Sequence, residues 1–177
     1  EMLAAPPWLL WTHTITLVVT CVMNTVFMLV VLFQYLYKRF VHKPPPPLSE
    51  YPSVSVIVPC YLPNEAAIIQ HTLEHLLGLD YPGRLTVWCV YNTPKPMPDE
   101  EAELRRCAAG PRPAGRKLKL VNSSAYSSSK AENLNIIVGQ LDDPLVSVYD
   151  ADHRPWPHAL RLLVETLFHQ QADCVQG

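Results

Sequence analysis

From Thr14 to Tyr37 the chain carries no Asp, Glu, Lys or Arg and is dominated by Val, Leu, Met, Phe and Thr. No other stretch restricts the possible folds as much. About 20 apolar residues are enough to cross a hydrocarbon core of roughly 30 Å, and a segment that crosses must satisfy its own backbone, which a helix does. Trp8 and Trp11 flank the run on one side and Tyr35 and Tyr37 close the other, as in an aromatic belt. A cleavable leader would carry its positive charge before the apolar run and small residues after it. Here Lys38, Arg39 and Lys43 come after the run, which is also long for the core helix of a globular domain. Residues 1–43 are therefore read as a transmembrane helix with flanks, spanning about 14–37. Asn24, near the middle, is read as a helix–helix contact or a tolerated polar residue. The basic cluster places the chain after residue 38 in the cytoplasm by the positive-inside rule, with Glu1 outside.

Proline punctuates the chain beyond the apolar run. Of 18 prolines, Pro44–Pro47 form an unbroken run, read as a stiff polyproline spacer within a Pro-rich linker over residues 44–52. Five cysteines, odd in number and without a C-x-x-C pair, indicate neither a disulfide framework nor a zinc site, and a reducing compartment fits them best. A net charge of −2 leaves no basic footprint for nucleic acid.

From Ser53 strand and helix patterns alternate. Val54–Val58 reads as a strand stopped by Pro59, and Asn64 as the cap of a helix to about Leu77. Leu85–Val90 is a second strand, Glu100–Cys107 a short exposed helix, and Leu118–Val121 a third strand. Ser129-Lys130-Ala131-Glu132 has the form of a capping box. It opens a helix with Leu134, Ile137, Val138 and Leu141 on one stripe. A strand through Leu145–Tyr149 comes next, then a helix from about His158 to Gln171, and Cys174–Gln176 starts another strand. Such alternation implies an α/β fold with a mainly parallel, Rossmann-like sheet over residues 53–177, with ligands beyond the carboxyl ends of its strands. The loops at that edge are Cys60–Glu65, Tyr91–Pro94, Asn122–Lys130 and Asp150–Pro155. The sequence has neither G-x-G-x-x-G nor a P-loop, which removes a dinucleotide site and a P-loop NTPase.

Asp150 and Asp152 leave the fourth strand one residue apart, so both carboxylates can aim at one point. Two such groups make a hard-oxygen site suited to Mg2+ or Mn2+ beside substrate phosphates, although an isolated pair of this kind also occurs in polar turns.

Four segments in order carry a resemblance: Val56-Ile57-Val58-Pro59-Cys60-Tyr61-Leu62-Pro63-Asn64-Glu65, Leu79-Asp80-Tyr81-Pro82, Ser129-Lys130-Ala131-Glu132-Asn133-Leu134-Asn135 and Asp150-Ala151-Asp152-His153-Arg154-Pro155. Together they resemble the nucleotide-sugar half of family-2 glycosyltransferases of GT-A fold, above all the membrane-embedded cellulose-synthase-like and hyaluronan- or chitin-synthase-like enzymes. The resemblance implies an inverting transfer from a nucleotide-diphosphate sugar, UDP-linked by preference, to a glycan or lipid acceptor. It implies that Asp152 ligates the metal and that Asp150 contacts the ribose or the metal's surroundings. Lys130 then faces the diphosphate from a helix N-terminus, with a solvated lysine as the plainer reading. Glu65 accepts from the base, or else favours the positive end of its own helix. His153 is read as an exposed turn residue. Where many relatives have an acidic pair after the second strand, this chain has Tyr91-Asn92-Thr93-Pro94, and Asn92 offers the donor an acceptor and a hydrogen-bond donor there but no carboxylate. The catalytic base, and the Q-x-x-R-W motif of the synthases, are expected beyond Gly177, which makes residues 53–177 an incomplete donor-binding half. The competing readings are a catalytically inactive, membrane-anchored nucleotide-sugar-binding or scaffold protein, and a lumenal transferase in which Asn122-Ser123-Ser124 would be open to glycosylation.

Overall fold

The computed structural model describes residues 6–40 and 43–177, which separate into two compact units at Pro44/Pro45. The first is a single helix, α1 (Pro7–Phe40), whose most apolar 18-residue window has a mean hydropathy of 2.5. It is long and apolar enough to cross a membrane. Its polar side chains turn back on their own helix: Thr14, Thr16 and Thr25 donate to the carbonyls of Leu10, Thr12 and Cys21. Asn24 likewise donates to the Thr20 carbonyl at 2.9 Å, which satisfies one of its two amide N–H groups.

The second unit is built on four parallel strands, β1 (Val54–Tyr61), β2 (Leu85–Asn92), β3 (Arg116–Asn122) and β4 (Leu145–Val148), in the order β3-β2-β1-β4. The helices between them are α2 (Leu62–Leu77), α3 (Pro98–Ala109), α4 (Lys130–Val138) and α5 (Ala159–Gln170). The strand period sorts β1 onto two faces. Val54, Val56, Val58 and Cys60 join Ile69, Leu73 and Leu76 of α2 and Leu160 and Val164 of α5 in the larger core. Ile57 joins Trp88, Val90 and Ile137 of α4 in the smaller one on the other face. Both faces of the central strands are thus covered, as a parallel sheet requires.

Several element boundaries differ from the sequence expectation. β1 runs through Pro59 instead of stopping there. The Ile57 carbonyl accepts from Tyr149 N–H, so this side of β1 faces β4, and Pro59, two residues on, faces the same way. β4 has already ended at Val148, so the missing proline N–H breaks no rung of the ladder. Asn64 is not the cap of α2. The helix begins at Leu62 with Pro63 in its first turn, and Glu65 accepts from Tyr61 N–H at 2.6 Å in the capping role. α4 ends at Val138, leaving that residue 53% exposed, so only part of the expected stripe is buried. Cys174–Gln176 joins no ladder; this segment flanks the outer edge of β4 near Leu163.

The segment before β1 is docked on the domain. Tyr81 donates to the Pro52 carbonyl at 2.6 Å, Tyr51 donates to the buried Glu165, and His169 Nε2 lies 2.9 Å from the Pro46 carbonyl. The expected stiff spacer is therefore fastened to the domain from Pro46 onward.

Candidate active site

Two strand ends and two helix starts converge on a cleft lined by Pro59, Cys60, Tyr61, Glu65, Asn92, Lys130 and Asn133. Glu65 and Asn92 come from the loop edges of β1 and β2, and Lys130 is the first residue of α4. Sequence reasoning nominated Glu65, Asn92 and Lys130 separately, and the fold brings all three to one opening.

Lys130 forms an ion pair with Asp150, which leaves the end of β4. Both side chains are more than half exposed, so the pair contributes little to stability. Asp152 is exposed and, among the described residues, has no hydrogen-bond or ion-pair partner. The two carboxylates are hard donors of the type Mg2+ and Mn2+ prefer. Among the described residues no group of three or more His, Cys, Asp and Glu converges.

The loop that carries the aspartates is anchored at its far end. His75 Nε2 lies 2.7 Å from the Pro155 carbonyl, Asp80 N–H donates to the Pro157 carbonyl at 2.8 Å, and Arg161 pairs with Asp80 at 3.0 Å. Within the loop His153 N–H closes a turn onto the Asp150 carbonyl, and the exposed imidazole packs against the Tyr149 ring. His153 is thus the exposed turn residue expected.

The start of α4 is capped by Ser129, whose hydroxyl accepts from Glu132 N–H. The reciprocal half of the expected capping box shifts by one residue. Glu132 accepts from Ser128 N–H at 2.7 Å, and this bond holds its carboxyl below the ordinary range. The positive end of α4 and the Lys130 ammonium consequently face the same opening, an arrangement suited to anions.

Two residues limit what the cleft does. Asn92 is buried, with its carbonyl accepting from Asn133 at 3.3 Å and its amide 3.5 Å from the Ser127 carbonyl. It knits β2 to α4 as much as it presents a polar group. The Cys60 thiol is raised by its hydrogen bond to Cys89 and by burial, so it stays a protonated thiol and is no nucleophile.

The residue that sequence reasoning passed over is Asn133. It is buried, accepts from the Ser123 hydroxyl at 2.6 Å, and donates to the Val90 carbonyl and to Asn92. Its place at i+4 from the cap, on the inner face of a short helix, was the available signal.

Known proteins resemble this chain in sequence and fold. Residues 52–177 match the family described as glycosyltransferase-like family 2. A Komagataeibacter xylinus protein assigned as cellulose synthase 2 is 30% identical over 125 residues, covering 70% of this chain and 7% of the relative. Cellulose synthase 1 of Novacetimonas hansenii is 27% identical over 118 residues, 67% of this chain and again 7% of the relative. The chain thus spans a small part of the curated relatives it matches. A mannosyltransferase from Pyrobaculum calidifontis, solved in complex with GDP-Man and Mn2+, superimposes with a TM-score of 0.57 at 27% identity, covering 84% of this chain and 42% of that one. With its GT-A-like parallel sheet, the chain belongs to the family-2-like glycosyltransferases.

Proposed function

We propose that this chain is the donor-binding half of a metal-assisted, inverting glycosyltransferase that is anchored in a membrane by α1. The observation that carries the reading is the Lys130–Asp150 pair at the mouth of a cleft holding Glu65 and Asn92. In the absence of donor the two opposite charges neutralise each other. A nucleoside diphosphate would take Lys130 and the N-terminal amides of α4 onto its phosphate oxygens, which would free the Asp150 carboxylate. One oxygen of Glu65 is held by Tyr61 N–H, which leaves the other for a base or ribose donor. Asp150 and Asp152 would hold Mg2+ or Mn2+, which supplies positive charge against the departing diphosphate. The acceptor hydroxyl is deprotonated by a carboxylate from a segment outside residues 53–177, as the family resemblance implies.

Cellulose synthase relatives and the GDP-Man complex support a hexose donor, with UDP favoured by the synthase-like motifs. The basic residues Lys38, Arg39 and Lys43 favour a cytoplasmic domain. A second reading, a nucleotide-sugar-binding protein without transfer activity, is favoured by Asn92, which is engaged with Asn133 where relatives place an acid.

Photolabelling of the full chain in nanodiscs with 5-azido-UDP-glucose, and separately with 8-azido-GDP-mannose, tests donor binding. The reading expects Mn2+-dependent label on peptides containing residues 59–65 or 91–93. Label that is indifferent to Mn2+, or spread outside these peptides, refutes it.

A further inference from the structure

Glu165 of α5 is 3% exposed, stands outside the donor cleft and takes no part in holding the donor. The cation it pairs with is Arg161, one turn earlier. Arg161 Nε lies 3.9 Å from Glu165 Oε1, while its Nη1 reaches Asp80 at 3.0 Å. One guanidinium is therefore shared by two carboxylates, the buried Glu165 and the Asp80 side chain, which is 59% exposed. A buried carboxylate needs a charged or hydrogen-bonding partner far more than a solvated one does. On that ground alone Arg161 should turn to Glu165. Tyr51 supplies the missing partner: its hydroxyl donates to the same Glu165 oxygen, which leaves Arg161 to Asp80. The bond to Glu165 raises the Tyr51 phenol above its ordinary value, so the hydroxyl remains a donor at neutral pH.

The two ends of this network belong to different parts of the chain. Tyr51 lies in the segment that leads from α1 into β1. Its ring meets Tyr81 edge-on, with centroids 5.7 Å apart, and Tyr81 donates to the Pro52 carbonyl. Asp80, the neighbour of Tyr81, donates its N–H to the Pro157 carbonyl at 2.8 Å, just beyond the loop of Asp150 and Asp152. We infer that Arg161 is a positioning residue for the aspartate loop, and that Tyr51 decides whether it serves Asp80 or Glu165. With Tyr51 docked, Arg161 fixes Asp80 and, through Asp80, the far end of the loop. With Tyr51 withdrawn, Glu165 claims the guanidinium, Asp80 loses its ion pair and the loop gains freedom. This exchange of partners is a two-state element biased from both ends, which is what coupling between separated sites requires. The inference rests on the donor-binding reading and adds to it a dependence on the segment before β1.

The test uses the full chain in detergent micelles with 5-fluorotryptophan in place of tryptophan. Trp156 is 77% exposed and stands between the held carbonyls of Pro155 and Pro157, so the width of its 19F resonance follows loop motion with no nucleotide present. That resonance is identified by its loss in Trp156→Phe. Mn2+-dependent UDP and GDP binding is measured in parallel. Tyr51→Phe should narrow the Trp156 resonance and weaken nucleotide binding about three- to tenfold. Adding Glu165→Gln to Tyr51→Phe removes the competing charge and should restore both, whereas adding it to Arg161→Ala should restore neither. A loss of packing predicts no such asymmetry, because Glu165→Gln removes a charge and almost no volume. A Tyr51→Phe chain with an unchanged Trp156 resonance overturns the inference, as does a Tyr51→Phe defect that Glu165→Gln leaves in place. A parent chain that binds neither nucleotide refutes the donor reading instead, and the 19F series still decides the coupling.

Discussion

Removing the Asn133 side chain tests whether the donor cleft is held by one buried polar hub. Asn133→Ala deletes a short bond from Ser123 at 2.6 Å and two longer ones, to the Val90 carbonyl at 3.4 Å and Asn92 at 3.3 Å. Each net hydrogen bond is worth about 0.5–1.5 kcal/mol, the long pair at the low end. The Ser123 hydroxyl has a fallback acceptor in the Tyr91 carbonyl at 3.0 Å, so its loss is partly recovered. Asn92 has no such fallback among the described residues, and a buried carbonyl left without a donor costs about 1–3 kcal/mol. The sum is about 3 kcal/mol. With a urea slope of about 2 kcal/mol/M, the unfolding midpoint falls by about 1.5 M. The assay is urea unfolding monitored by the emission of the buried Trp88, isolated by replacing Trp8, Trp11 and Trp156 with Phe. Asn135→Ala, on the exposed face of the same helix, should stay within about 0.5 kcal/mol of the parent. A midpoint shift below about 0.3 M for Asn133→Ala would refute the hub.

Three further outcomes are expected of the same structure. His75→Ala frees the Pro155 carbonyl and loosens the aspartate loop without touching a ligand; nucleotide affinity in Mn2+ should fall about three- to tenfold, and an unchanged Kd would remove the anchoring role. A Cβ at Gly83 would lie 2.5 Å from the Pro52 carbonyl and 2.8 Å from the Tyr81 ring, so Gly83→Ala should lower stability by about 1–3 kcal/mol, measured by the same urea titration. Burial pushes the Tyr81 phenol up to about 12 from an ordinary 10, so the folded state keeps a proton that the unfolded chain releases. Its contribution is whole below pH 10 and is lost as pH rises from 10 through 12; tyrosinate absorbance at 295 nm should track unfolding there, and Tyr81→Phe should flatten the dependence.

Much of this architecture was legible because its signals were local. The valine alternation in β1, the helix stripes and the aspartates closing β4 each need only neighbouring residues to be read. The errors arose where a distant partner or a competing neighbour decides. Pro59 ordinarily ends a strand, and only the early departure of β4 makes it tolerable within β1. Asn64 looked like a cap, but Pro63 and Glu65 move the helix start to Leu62. Asn133 gave little sign of its importance, because its three partners come from β2 and the loop after β3. The Lys130–Asp150 pair joins residues twenty apart in sequence, which only the folded sheet brings together.

The most direct test is a calorimetric titration of the full chain with UDP and with GDP, in Mn2+ and in EDTA, repeated on Asp152→Ala. The account predicts binding that requires the metal and weakens at least about tenfold, about 1.4 kcal/mol, in the variant. Equal affinity in Mn2+ and EDTA, or in parent and variant, would contradict it.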